Sequence, residues 1–191
     1  MREKRAMGRM AGAERLRRLI LLGTGLLWLL GNVALTVGGD RLRPGAVETW
    51  EVEQVSSGRT LLAVARSDPN RASQRVLPVG VDAPFPEQSP WGNEARAFWQ
   101  QHLPRGKEVA LEFDVDRTNA AGHVLAYVWK NSRLLNEEAI AEGYALARHF
   151  PPNVRYQKRL ERAQLRARLL GLGIWNPKNP LRVSPSEFRR R

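Results

Sequence analysis

Short runs in which apolar and polar residues alternate make up the first half of the chain after residue 46. Val47 to Val55, Thr60 to Arg66 and Gln74 to Val81 are each rich in β-branched or apolar residues. Ser56-Ser57-Gly58 and the polar stretch Ser67 to Ser73 separate them, so the pattern predicts three consecutive strands. From Pro90 to Leu103 the period changes: Ala95, Phe98, Trp99 and Leu103 recur at helical spacing, and Pro104 and Gly106 end the helix. Alternation returns in Lys107 to Phe113 and His123 to Lys130, which read as two strands around the loop Asp114 to Gly122. Asn136 to Gly143 then predicts a short helix, and Asn153 to Leu170 a long one closed by Gly171 and Gly173. Five strands interrupted by a helix fit a small Greek-key barrel of OB type. The fold class expected is therefore α+β, a five-stranded OB-type barrel with about three α-helices.

Upstream the pattern is different. Leu19 to Gly39 holds twenty-one residues without a formal charge, and as a helix would be about 31 Å long, enough to cross a bilayer core. Residues 1–18 carry seven basic side chains against two acidic ones, which by the positive-inside rule places them in the cytoplasm and the globular part outside. The rival readings are a cleaved signal peptide, with small residues at Thr36-Val37-Gly38, and a buried soluble helix, which apolar residues on all sides make less apt. The organisation expected is a basic cytoplasmic N-terminus (1–18), a transmembrane anchor (19–39), a linker (40–46), a barrel domain (47–176) and a basic C-terminal tail (177–191). The protein would be single-pass, its domain extracytoplasmic.

Composition narrows the chemistry. The chain has 191 residues and no cysteine, which removes disulfides, thiolate metal sites and cysteine nucleophiles. The net charge of +12 invites a nucleic-acid reading. Its distribution weakens that reading: residues 178–191 carry five basic side chains against one acidic, and with residues 1–18 they hold most of the excess. The middle of the chain has nineteen basic and sixteen acidic residues. The three histidines lack metal-ligand spacing, and no Gly-rich phosphate loop or zinc-protease helix is present. Arg155, Arg159, Arg162 and Arg166 form a basic stripe at helical spacing, either a solvated face or a surface for an anionic partner such as lipid, nucleic acid or an acidic protein. Most of the tryptophans fall on apolar positions and read as core, and Arg189 to Arg191 reads as a solvated end.

Six segments together resemble the staphylococcal-nuclease-like family, the thermonucleases: SSGRT (Ser56 to Thr60), VGVDAP (Val79 to Pro84), WGNEARAF (Trp91 to Phe98), GHVLAYV (Gly122 to Val128), LNEEAIAEGYA (Leu135 to Ala145) and GLGIW (Gly171 to Trp175). They stand in family order over about Val47 to Asn176. The resemblance implies the barrel, and for the family's nucleases a phosphodiester hydrolysis that uses calcium, two arginines and carboxylates. Cations must neutralise the phosphate oxygens, a carboxylate must hold or activate the attacking water, and hard calcium needs oxygen ligands.

Position by position this sequence departs from that set. The family's DGDT turn is SGRT here, with Arg59 in the place of a calcium ligand. Leu77 stands where the first phosphate-binding arginine belongs, Phe85 where the glutamate after D-A-P belongs, and His123 where the second arginine belongs. Asp82 alone remains, a weak metal candidate. Arg75 and Glu87 are displaced substitutes, Arg75 lying about 6.6 Å along the strand from Leu77. Two arrangements of Arg59 are open: a bidentate pair with Asp82 in place of calcium, or a turn into solvent.

The functional expectation is a membrane-anchored domain that has lost hydrolysis and acts as a binding or scaffold module with no cofactor. Its partners would be the membrane, through residues 19–39, and a protein. The alternatives are a calcium-dependent nuclease with a rearranged site, and nucleic-acid binding without cleavage.

Overall fold

The computed structural model describes residues 45–191. The readings of residues 1–18 and 19–39, and of most of the linker, lie outside the described residues. Among the described residues no helix is long and apolar enough to cross a membrane.

The elements follow the alternation. They are β1 (Val47–Ser57), β2 (Thr60–Ala65), β3 (Gln74–Pro78), β4 (Val81–Asp82), α1 (Trp91–His102), β5 (Glu108–Glu112), β6 (Val124–Lys130), β7 (Arg133–Leu134), α2 (Leu135–Ala141), β8 (Leu146–Ala147), α3 (Gln157–Leu170) and α4 (Pro185–Phe188). A single 3-10 turn, Gly173–Trp175, follows α3. Strands pair antiparallel in the order β3-β2-β1-β5-β6, and β3 also pairs parallel with β6, so the five strands close into a barrel. Closure removes the open sheet edge.

Two apolar clusters follow from the two faces of the strands. Val52, Leu61, Val76, Leu111 and Val128 point inward, and α1 caps them with Phe98, Trp99 and Leu103. Outside the barrel, Leu125, Tyr127 and Val79 pack against Ile140 of α2 and Leu160 of α3. β6 is buried on both faces over Val124 to Val128 because it serves both clusters.

Two expected boundaries change. Gln74 to Val81 is not one strand: Pro78 ends β3, Gly80 turns at φ 74°, and Val81–Asp82 pairs separately with β8. The long helix begins at Gln157, not Asn153. Asn153 is spent on a loop contact, its amide donating to the Asp116 carbonyl and its Oδ1 accepting from the Asp116 N–H, both at 2.8 Å.

Candidate functional site

The β1–β2 hairpin, α1 and the segment after β4 meet at one end of the barrel. Ser57 and Thr60 are register partners, so Gly58 and Arg59 form the turn. A Cβ on Gly58 would stand 2.6 Å from the Ala95 Cβ and 3.1 Å from that of Ala83. Only glycine lets the turn press this closely on α1 and the strand end. That contact carries Arg59 over the Phe85 ring, 4.3 Å from guanidinium carbon to centroid.

Asp82 is buried on β4, its side chain 6% exposed, and its Oδ1 accepts from Arg189 Nη2 at 3.0 Å. Arg189 follows α4 directly. The helix is set by a capping box in which the Ser184 hydroxyl accepts from the Glu187 N–H and the Glu187 carboxylate accepts from the Ser184 N–H, with Pro185 at the first helical position. Phe188 lies against Phe85, centroids 5.6 Å apart, and Arg189 stands 5.6 Å above the same ring. The Gln88 side-chain amide donates to the Val183 carbonyl at 2.8 Å, and the Leu181 N–H donates to Ile174 at 2.9 Å. A cavity of about 290 Å³ remains between this segment and the start of α1, lined in part by Gln88, Trp91, Val183 and Phe188. The basic end of the chain therefore divides: the segment folds over the barrel end and Arg189 places a cation on the buried aspartate, while Arg182, Arg190 and Arg191 stay exposed as a solvated end.

The arrangement corrects both readings of Arg59. It neither forms the Asp82 ion pair, which Arg189 makes instead, nor turns into solvent. Burial holds the Arg59 guanidinium below its ordinary value; nearby Arg189 acts the same way, Asp82 opposes, and Arg148 adds to the lowering. Asp82 thus pairs with Arg189, and Arg59 stands close enough to feel its charge.

The other sequence candidates divide. Leu77 lies half-buried on the outer face of β3, packed against the second cluster. Arg75, on the same face of the strand, is exposed and makes no ion pair among the described residues. His123 precedes Val124, the register partner of Val76, and its N–H donates to Asn119 Oδ1 at 3.0 Å. Glu87 is exposed in the turn that Gln88 closes on Phe85, and it makes no ion pair. The structure thus gathers Arg59, Asp82 and Phe85, and adds Arg189 and Phe188, which sequence reasoning missed. The S-x-x-E spacing of Ser184 and Glu187 was the available signal.

Calcium, which the family resemblance implies, finds a poor donor set here. It requires several oxygen ligands, whereas Asp82 is the one carboxylate in the cluster and already holds a guanidinium. Among the described residues no group of three His, Asp or Glu side chains converges on one point.

The arginine stripe also divides. Arg155 precedes α3 and turns inward, its Nη1 donating to Glu112 at 3.0 Å and its Nε lying 3.6 Å from Asp114. Glu112 is fully buried and also accepts from Tyr156 Oη, Trp129 Nε1 and the Gly45 N–H. Arg159 pairs with Glu137. Arg162 and Arg166 face outward and make no ion pair among the described residues. The four arginines therefore do not act as one surface.

A family model, the staphylococcal nuclease homologue, matches residues 75–177. Thermonuclease of Staphylococcus hyicus is 36% identical over 135 residues, which are 68% of this chain and 76% of the relative. Thermonuclease of Staphylococcus intermedius is 34% identical over 134 residues, 67% and 76% of the two chains. With the closed five-stranded barrel and its helices, these matches make this chain a member of the staphylococcal nuclease homologue family.

Proposed function

We propose that this protein is a membrane-anchored family member in which the nuclease site no longer hydrolyses phosphodiesters and the domain serves as a binding or scaffold module for another protein. The observation that carries this reading is the Asp82–Arg189 pair. The carboxylate that would hold a metal is neutralised by the chain's own C-terminal segment, whose Phe188 lies against the Phe85 ring. An apolar ring stands where hydrolysis needs a carboxylate to activate water, and catalytic groups must be placed to within about half an ångström. The name of the staphylococcal relatives, thermonuclease, favours the opposite reading, an active nuclease, which the family resemblance would make calcium-dependent. That reading needs Arg75, Glu87 and His123 to converge on Asp82, and Arg75 and Glu87 stand exposed without ion-pair partners. Nucleic-acid binding without cleavage is a third reading, one that would weaken steeply with salt.

The anchor rests on the uncharged run 19–39 and its basic flank. High-pH carbonate extraction of membranes from cells making the full chain tests it. The full-length chain is expected in the pellet, and a shortened soluble chain would overturn it in favour of a cleaved signal. The site is tested by melting the purified full chain in millimolar calcium. No rise in Tm is expected, whereas a rise that Asp82→Ala abolishes would establish a metal site.

A further inference from the structure

α3 has two unlike faces. Leu160, Ala163 and Ala167 are buried at helical spacing on the inner one. On the outer one Lys158, Arg162, Leu165 and Leu169 follow one another at intervals of four, three and four residues, a single ridge along the helix. All four are exposed, Leu165 by 55% and Leu169 by 78%, and Leu170 beside them by 58%. These leucines do nothing for the core. Isolated exposed leucines are ordinary, but here Leu165 and Leu169, two of the described domain's three most exposed leucines, share one helix face with cations. Lys158, Arg162 and Arg166 make no ion pair among the described residues, and the carboxylate of the one acidic neighbour, Glu161, accepts from Gln157.

We propose that this outer face of α3 rests on an anionic lipid surface. The face is a convex ridge without an aromatic anchor, unlike the central pocketed hot spot of a protein interface. Leucines between long cationic side chains match a helix lying in a membrane interface, the leucines entering the acyl boundary while the cations reach the headgroups. The inference rests on the anchor reading, which brings the domain to such a surface.

The absence of cysteine permits a direct test. The full chain carrying Leu169→Cys is labelled with an environment-sensitive fluorophore and reconstituted into vesicles of phosphatidylcholine with or without phosphatidylglycerol. A second chain is labelled through Ser73→Cys in the β2–β3 loop. The label at 169 is expected to shift to the blue in phosphatidylglycerol vesicles and to be quenched by brominated acyl chains several-fold more than the label at 73. High salt, or Arg162→Glu with Arg166→Glu, should reverse both effects. No shift at 169 in a chain that resists carbonate extraction overturns the lipid face and leaves the anchor standing. A chain the vesicles do not retain removes the anchor; excess phosphatidylglycerol vesicles are then added to it at low salt, and no shift overturns the face as well. A shift that appears without lipid and grows with protein concentration would assign the face to a second copy instead.

Discussion

Replacing Arg189 with alanine removes the cation from a carboxylate that is almost wholly buried. Breaking a fully buried pair costs about 3–5 kcal/mol because the remaining charge is stranded, whereas an exposed pair is worth roughly 0–1 kcal/mol. The Asp82 side chain is 6% exposed and that of Arg189 37%, and Arg59 stays close enough to offset part of the stranded charge. The cost should therefore fall between the limits, at about 1–2 kcal/mol, or roughly 2–8 °C in Tm for a domain of this size. Arg189→Ala, Asp82→Asn and the double variant, melted by circular dichroism at neutral pH, form a cycle that isolates the pair. A coupling of about 1 kcal/mol is expected. A Tm unchanged by Arg189→Ala, with zero coupling, would show that the C-terminal segment does not hold Asp82 in solution.

Three further tests probe the frame around the site. Glu112 accepts from Arg155, Tyr156, Trp129 and Gly45 while fully buried; Glu112→Ala should cost about 3 kcal/mol by chemical denaturation, and Glu112→Gln distinctly less. Burial and the hydrogen bond to Glu112 push the Tyr156 phenol up to about 12 from its ordinary value of 10.0. Its contribution to stability is therefore complete below pH 10 and is lost as pH rises toward 12, so Tm should fall across that window and fall less steeply in Tyr156→Phe. Gly92, at the start of α1, lets the Phe85 carbonyl approach so closely that a Cβ would overlap it. Gly92→Ala should cost about 1–3 kcal/mol in a thermal melt, and an unchanged Tm would show that the Phe85 platform yields easily.

The barrel was legible because each strand has an apolar inner face of period two, and α1 because Ala95, Phe98 and Trp99 recur at helical spacing. What escaped was decided by tertiary contacts. Gln74 to Val81 reads as one strand until the Gly80 turn at φ 74° is seen, and β7 and β8 are two residues long, too short to carry a period. The start of α3 moved because Asn153 serves the loop at Asp116 and Arg155 turns toward Glu112, demands that do not show in a helical pattern. At the site, the positions of Arg59, Asp82 and Phe85 could be named from motif spacing, but their partners could not. Arg189 lies 107 residues from Asp82, and a terminal run of arginines looks like solvated charge unless the Ser184 and Glu187 cap beside it is weighed.

The central claim, that hydrolysis has been lost with Asp82 held by an arginine, meets its most direct test in calcium-dependent cleavage of single-stranded DNA. The full chain and Asp82→Ala would be assayed side by side, with and without chelator. No turnover by either, from protein whose melt shows it folded, is the expected result. Chelator-sensitive turnover that disappears in Asp82→Ala would contradict the account and establish that a rearranged site still works.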